Sequence, residues 1–415
     1  MRRVVIVLFI FLLTACSQAT PLPPTATSTP EPPTKTPTLT PTVTETPTPA
    51  PTETPTITPT PLYPPEGLGP SNFPAEVNPL TGLEVDDPAI LSRRPIIIKV
   101  ENLPRDHRPQ FGLSLADLVF EYYTELGGTR FAAIFYGQDS EQVGPIRSAR
   151  FFDDNLIRMY KSVFVFGSAY EKVRFRLFNA DYSNRLILDT NQSCPAVCRF
   201  DPGKRNYLMA DTSAMGDYLN LRGVDNSRQN LDGMYFKLEA PDGGQTAEQV
   251  YVRYSGAIYN RWDYDEESGT YLRFSDTKDD VNRNNPDYAQ LTDQVTGEPI
   301  AVESLLMILA PHQYFDRTED MEVLDIILSP NSAMYVASDG TTYQGGTGPA
   351  YLARDGQIYA VRWFRSTDDS VLTIVGPDGQ PFAFKPGQTW VEVVGASSKV
   401  EQEGESWKFT HLMAP

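Results

Sequence analysis

The chain is poor in the residue types from which metal centres and thiol chemistry are built. Its 415 residues include three cysteines and three histidines, and His107, His312 and His411 lie far apart in sequence. The sequence therefore predicts no metal site. It also lacks a Gly-x-Ser-x-Gly elbow, a P-loop and the Rossmann glycine pattern. We expect no bound cofactor and assign no catalytic residue.

Positive charge and long apolar runs are scarce as well. The formal net charge is −18, and nucleic-acid binding needs a basic surface. This composition argues against nucleic acid as a partner. The apolar run Val4–Leu13 has ten residues, whereas a membrane-spanning helix needs roughly 20. The sequence therefore predicts no spanning helix.

The N-terminus has the pattern of a targeting signal. Arg2 and Arg3 precede the apolar run, which ends in Leu-Thr-Ala-Cys16, a bacterial lipoprotein box. We expect residues 1–15 to be a signal peptide and Cys16 to carry a diacylglyceryl group, with acyl chains such as palmitate. Stable anchoring needs more than one acyl chain, and this group meets that condition. The sequence thus predicts an extracytoplasmic protein held at the bacterial cell membrane by lipid.

Residues 16–65 consist of the lipidated cysteine and a stretch dominated by threonine and proline. Such a composition favours a disordered, extended stalk rising about 3.1 Å per residue, or ~150 Å in all. Its Thr-Pro pairs also suit O-glycosylation. We interpret it mainly as a spacer between the membrane and a folded head.

The remaining chain is long enough for two domains. Over residues 66–228, buried-strand runs such as Pro95–Val100 alternate with helical patterns such as Ser148–Lys161. Over residues 229–415, short β-type runs are separated by turn signals such as Asp339-Gly340. The predicted fold class is α+β, with a mixed α/β N-terminal domain (hairpin, buried strands, packed helices) and a β-rich C-terminal domain.

Two cysteines remain after Cys16, within Cys194-Pro-Ala-Val-Cys198. An oxidising exterior favours a disulfide between them over free thiols. No histidine lies nearby in sequence to complete a zinc site. We therefore predict a local disulfide.

A β-hairpin is predicted around Gly127-Gly128. Taken as a two-residue turn, it places Glu125 opposite Arg130, and it places Glu121 on the same solvated face. The charged face is either a structural ion pair or the lining of a binding groove. Glu121 and Glu125 do not form a glycosidase pair within one strand, because ~13 Å would separate them and glycosidase carboxyls lie about 5–9.5 Å apart.

An arginine-rich turn, Gly144-Pro-Ile-Arg147-Ser148-Ala-Arg150, precedes the first predicted helix. A helix N-terminus attracts anions, and arginine forks suit carboxylate or phosphate. Ser148 is the expected N-cap. Arg130, Arg147, Ser148 and Arg150, with Glu121 and Glu125, are therefore the candidate anion- or ligand-binding residues. The alternative is that the arginines pair with internal carboxylates.

Several ordered motifs resemble the YerB-like family of bacterial lipoproteins. They are Asn78-Pro-Leu-Thr-Gly82, Arg108-Pro-Gln-x-Gly-Leu-Ser-x-Ala-Asp117, Gly-Gly-Thr-Arg-Phe131, Gly-Pro-Ile-Arg-Ser-Ala-Arg150 and Pro386-Gly-Gln-Thr-Trp390. The resemblance spans most of residues 75–395 and implies a two-part domain, α/β first and β-rich second. It implies no activity. Where the family usually carries Pro-His-Asn, this chain has Lys204-Arg205-Asn206.

These patterns predict a monomeric envelope lipoprotein that binds rather than catalyses. Its expected partner is an envelope protein or an anionic cell-wall component. The alternative is a hydrolase or transferase acting on wall polymer, with carboxylates such as Glu121 and Asp117 meeting an acid from the C-terminal domain.

Overall fold

The computed structural model describes residues 63–200, 207–318 and 322–413. The predicted signal peptide, Cys16, the stalk up to residue 62 and Lys204-Arg205-Asn206 lie outside these residues. Within the described ranges, no helix combines the length and apolarity needed to cross a membrane.

The helices of the described chain are short and lie before residue 229. The α-helices are α1 (Phe152–Met159), α2 (Glu171–Phe178) and α3 (Met215–Leu221). Four 3₁₀ turns accompany them, at Pro88–Ser92, Arg105–His107, Leu113–Leu115 and Ser183–Arg185.

Strands make up most of the regular structure. In the N-terminal region they are β1 (Ile96–Glu101), β2 (Leu118–Tyr123), β3 (Thr129–Phe135), β4 (Val163–Val165), β5 (Leu186–Ile187), β6 (Val197–Arg199) and β7 (Leu208–Ala210). In the C-terminal region they are β8 (Gln245–Thr246), β9 (Gln249–Arg253), β10 (Tyr259–Asp265), β11 (Thr270–Asp276), β12 (Tyr288–Gln290), β13 (Ala301–Val302), β14 (Ser304–Ala310), β15 (His312–Arg317), β16 (Glu322–Ile326), β17 (Tyr335–Val336), β18 (Thr342–Tyr343), β19 (Thr347–Arg354), β20 (Gln357–Phe364), β21 (Thr373–Val375), β22 (Thr389–Gly395), β23 (Lys399–Glu403) and β24 (Ser406–Thr410). The predicted fold class, α+β with a mixed first region and a β-rich second region, is confirmed.

One large sheet contains strands from both regions. Its order is β21-β20-β19-β14-β22-β2-β3-β1-β4-β5, and β8 pairs with β20. The two regions meet where β2 pairs in parallel with β22, which sets Glu121 directly opposite Glu392. The predicted boundary at residues 228 and 229 stays a prediction, but backbone hydrogen bonds of a single sheet cross it.

Both faces of the large sheet are covered. On one face, α1 and α2 contribute Leu156, Ile157 and Val173 to a buried cluster that includes Phe120 of β2. On the other face, the core includes Trp262, which belongs to a second sheet of order β12-β11-β10-β9-β24-β23. A strand buried on both faces is apolar along its whole length, and this explains why β14 reads Ser-Leu-Leu-Met-Ile-Leu-Ala.

The hairpin of β2 and β3 differs from the predicted one. Its register pairs Leu118 with Ile134 and Tyr122 with Arg130. The connection is therefore the five-residue loop 124–128, in which Gly127 adopts a φ of +83°, a backbone conformation that glycine accepts without strain. Because the register differs from the predicted one by an odd number, each predicted face combined side chains of β2 and β3 that lie on opposite faces of the sheet.

Candidate functional site

Three arginines come together beside the end of β1, and we call Arg130, Arg147 and Arg150 the arginine cluster. Arg130 lies on β3 directly opposite Glu101 of β1. The segment that carries Arg147 follows the other edge of β1, where the Arg147 amide donates to the Lys99 carbonyl (2.8 Å). The sheet therefore brings together side chains that sequence order keeps apart.

Within the cluster, Arg147 pairs with a carboxylate of the same chain. Its Nε lies against Glu101 Oε2, and Glu101 Oε1 lies 2.5 Å from His107 Nδ1. Burial raises the pKa of Glu101, although Arg147 and His107 act in the opposite direction. Arg147 keeps 26% of its side-chain surface exposed, so it is the most accessible of the three arginines.

Glu125 joins the other two arginines. Arg150 contacts Glu125 through two nitrogens, and its Nε lies 2.5 Å from Glu125 Oε2. Arg130 Nη2 lies 3.2 Å from Glu125 Oε1. The predicted contact between Glu125 and Arg130 is therefore present, but Glu125 makes it from the loop. Burial lowers the pKa of Arg130 and of Arg150 to about 10.

A buried lysine lies beneath the cluster. Lys99 Nζ is 3.3 Å from Asp153 Oδ1, and both side chains are fully enclosed. The Tyr122 hydroxyl contacts both groups. Burial is the main reason that the pKa of Lys99 is lowered to about 7, and the positive charges of Arg130 and Arg150 lower it further. The contact network thus holds four basic side chains and three carboxylates, in a protein whose net charge is strongly negative.

Ser148 takes a different place from the predicted one. Because α1 begins at Phe152 and Phe151 is its N-cap, Ser148 does not cap this helix, and that expectation was wrong. Its hydroxyl instead lies 2.6 Å from the hydroxyl of Ser168, which precedes α2. The physical reason is a backbone bridge that joins Ala149 to Ala169 and holds the two segments side by side.

The space between these segments is a cavity of about 300 Å³. Its lining includes Glu125, Ser148, Arg150, Ser168 and Tyr170. Tyr170 is the N-cap of α2, and no described side chain caps this helix. Tyr170 and Val173 both line the cavity, so the start of α2, which carries a partial positive charge, borders it.

Glu121 is placed elsewhere, in a second charged group that we call the Arg273 cluster: Glu121, Arg273 and Glu392. Arg273 donates from Nη2 to Glu121 (2.6 Å) and from Nη1 to Glu392 (3.2 Å). All three side chains are enclosed, with at most 1% of their surface exposed. The expectation that Glu121 lies on a solvated face was therefore wrong, because that face packs against the second sheet.

Neutral donors complete the Arg273 cluster. Asn102 and Thr129 donate to Glu121, Trp262 donates to Glu392, and the Tyr254 hydroxyl lies 2.9 Å from Glu392 Oε2. Burial and the nearby Glu121 carboxylate raise the pKa of Glu392 to about 8. Two acids from distant segments do meet here, as the enzymatic alternative requires, but they meet inside the core rather than in a cleft.

Asp117 belongs to neither cluster. It accepts hydrogen bonds from the Asn78 side chain (2.7 Å) and from the amides of Tyr136 (2.5 Å) and Gly137 (3.0 Å). Burial raises its pKa to about 6. The Asn78–Gly82 and Arg108–Asp117 motifs are thus joined in space by this carboxylate.

The chain matches the two domains of one protein family. The family described as "Protein of unknown function (DUF3048) N-terminal domain" matches residues 80–220, and its C-terminal domain matches residues 250–391. The chain belongs to the DUF3048 family. The first match contains the arginine cluster, and the second contains Arg273.

The chain is also similar to "Putative lipoprotein YerB" of Bacillus subtilis (strain 168). The two are 28% identical over 324 residues, which are 76% of this DUF3048 chain and 85% of the relative. The crystal structure of YerB protein from Bacillus subtilis resembles the fold with a TM-score of 0.60 and 25% identity, over 77% of this chain and 97% of that one. The resemblance seen in the sequence motifs is confirmed.

In this DUF3048 protein, Cys194 and Cys198 form the predicted disulfide. Among the described residues, no group of three or more histidine, cysteine or acidic side chains is arranged to hold a metal ion.

Sequence reasoning missed Lys99, Arg273 and Glu392. Lys99 and Glu392 interrupt the apolar runs Ile-Ile-Ile-Lys-Val and Trp-Val-Glu-Val-Val, whereas Arg273 lies in the more polar strand Thr-Tyr-Leu-Arg-Phe-Ser-Asp. That interruption is a usable signal, because a charge in a strand with two covered faces needs a buried partner.

Proposed function

We propose that this chain is a lipid-anchored, extracytoplasmic binding protein whose head takes an anionic group of an envelope protein or cell-wall component. The ligand is a carboxylate or a phosphate. Its site is the cavity between the arginine cluster and the start of α2.

One observation carries this proposal: Arg150, the paired hydroxyls of Ser148 and Ser168, and the uncapped start of α2 line the same cavity. Hydroxyls and helix amides donate to anions, and an arginine fork adds charge. Without a ligand, Glu125 forms an ion pair with Arg150, and a quarter of the Glu125 side chain remains exposed. An incoming anion would replace Glu125 on one side of the guanidinium.

The printed name of the Bacillus relative, a lipoprotein, supports the anchored location. The lipoprotein box at Cys16 supports it independently. A net charge of −18 disfavours nonspecific attraction of anions, so an anionic partner needs a local positive site of the kind that the arginine cluster offers.

The test is capture of envelope material by the full-length lipoprotein in detergent, with wild type compared with Arg150→Ala and Arg147→Ala. We expect the retained partner to fall at least tenfold for Arg150→Ala and less for Arg147→Ala. Arg158→Ala is the matched control, since Arg158 has 28% of its side chain exposed and pairs with two acids outside the site. Equal retention by all four proteins, at equal thermal stability, would overturn the proposal.

A further inference from the structure

Two buried histidines meet where the two sheets join. His312 opens β15, directly after β14 of the large sheet, and His411 follows β24 of the second sheet. Their ring centroids are 5.0 Å apart, at an interplanar angle of 69°. Each residue has only 7% of its surface exposed. The pair therefore joins the end of β24 to the end of β14, and we call β24 together with residues 411–413 the C-terminal segment.

Backbone contacts fix the proton position on each neutral ring. His312 Nδ1 lies 2.9 Å from the Ala310 carbonyl, which can only accept, so this nitrogen carries the proton. The Gly395 amide donates to His411 Nδ1 (3.0 Å), so that nitrogen is bare and the proton is on Nε2. The two rings therefore hold opposite tautomers.

We propose that this pair is an acid-sensitive latch that holds β24 and His411 against the end of β22. A second proton on His411 would point Nδ1–H at the Gly395 N–H, and their hydrogen bond would be lost. A proton on His312 would place a positive ring 5.0 Å from His411. Either event favours release of the C-terminal segment.

The backbone next to His411 packs closely against the end of β22. A Cβ atom built on Gly395 would lie 2.0 Å from the Leu412 carbonyl oxygen, so the backbone after His411 lies directly on β22. The His411 amide also donates to the Arg253 carbonyl (2.8 Å). The backbone at His411 and Leu412 is therefore held against the ends of β9 and β22, and these are the contacts that the latch would release.

Among the described residues, those in ring contact with the pair carry no negative charge. Tyr123 of β2 stacks on His411 with ring centroids 5.0 Å apart. The ring centroid of Tyr254, which follows β9, lies 5.8 Å from that of His411. The charged groups stand behind these phenols: Glu322 of β16 at the Tyr123 hydroxyl (3.4 Å) and Glu392 of β22 at the Tyr254 hydroxyl (2.9 Å). The Arg253 side chain points its charge to Asp280 (2.5 Å).

The electrostatics agree with the geometry. Burial lowers the pKa of His312 from 6.5 to about 4. Burial also lowers the pKa of His411, and His312 lowers it further. Since the unfolded rings take up protons first, the stability given by the neutral pair is present above about pH 6.5 and is lost as the pH falls toward 4.

The first measurement is imidazole nitrogen NMR on the full-length protein in detergent at pH 7. We expect His312 to show the Nδ1–H tautomer and His411 the Nε2–H tautomer. The His107→Gln variant removes the signals of the third histidine and thereby identifies them. A His411 ring protonated at Nδ1 would overturn the latch, whatever the behaviour of any variant.

The second measurement is amide hydrogen exchange, corrected for intrinsic rates, in β24 and in β1 from pH 7 to pH 4.5. Below pH 6.5, the opening constant of β24 is expected to rise up to about tenfold per pH unit for each histidine, while that of β1 changes less. In His411→Gln, whose amide oxygen can accept from Gly395, the rise should shrink. If this variant does not fold, His312→Gln should also reduce the rise. Equal pH dependence in β24 and β1, or an unchanged slope in the folded variant, would contradict the latch.

Discussion

Glu121 and Glu125 lie four residues apart, yet they belong to two opposite kinds of charged site. Glu121 at the middle of β2 is sealed between two sheets and shares Arg273 with Glu392. Glu125 lies just beyond β2, where the loop turns outward, and it pairs with Arg150 and Arg130 at the edge of a cavity. The comparison teaches that burial, more than charge, separates a structural cluster from a candidate binding site.

The largest expected effect comes from removing the shared cation of the enclosed site. Arg273→Met leaves the Glu121 carboxylate without its counter-charge in the core, and loss of one partner of a buried pair costs about 3–5 kcal/mol. Urea unfolding followed by tryptophan fluorescence would measure it. The control Arg158→Met removes a partly exposed arginine and should change the free energy of unfolding by less than about 1 kcal/mol. An equal loss of unfolding free energy in both variants would contradict the prediction that the enclosed site contributes more to stability.

A second prediction concerns the proton on Glu392. Because its pKa is raised from 4.5 to about 8, the folded protein keeps a proton that the unfolded chain releases. Stability is therefore fully present below about pH 4.5 and is lost as the pH rises through 8, with the folding constant falling up to about tenfold per pH unit.

Glu392→Gln should flatten this decline. Its amide oxygen can accept from Trp262, and its NH₂ can donate to the Tyr254 hydroxyl, which itself donates to the Glu121 carbonyl. Unfolding free energies from pH 5 to pH 9 check the slope. Glu403→Gln, at an exposed carboxylate, should keep the slope of the wild type. A steep decline in Glu392→Gln would place the titrating group elsewhere.

The smallest expected effect belongs to the open site. Glu125→Gln weakens partly exposed ion pairs, so we expect a loss of about 1 kcal/mol or less. Added salt screens exposed charges more than buried ones. The difference in unfolding free energy between Glu125→Gln and the wild type should therefore shrink when NaCl is raised from about 0.05 to about 0.5 M. The corresponding difference for Arg273→Met should persist. Denaturant titrations at both salt concentrations make the comparison, and a salt-independent loss for Glu125→Gln would show that this carboxylate is effectively buried.

Several features of this molecule were predictable from short stretches of sequence. The apolar run in Pro95–Val100 became β1, and the cysteine spacing gave the disulfide. In each case the signal lies within a few residues, where propensity and spacing act directly.

The hairpin shows why the remaining site geometry was not predictable. Gly127-Gly128 predicted a two-residue turn, but the loop closes over five residues, and an odd change of register exchanges the faces of β3 relative to those of β2. Glu121 lies in the core for a separate reason, because the second sheet covers its face of β2. Ser148 likewise follows the Ala149–Ala169 bridge rather than capping the helix next to it in sequence.

By itself, the sequence determined the fold class and the family, because strand periodicity and ordered motifs are local properties of the chain. It also carries the lipoprotein box, whose anchor stays a prediction. Only the tertiary structure decided which charges meet. The parallel pairing of β2 with β22 brings Glu121 to Glu392, and the second sheet closes over them. Partners distant in sequence are chosen by sheet order and register, which depend on the whole fold.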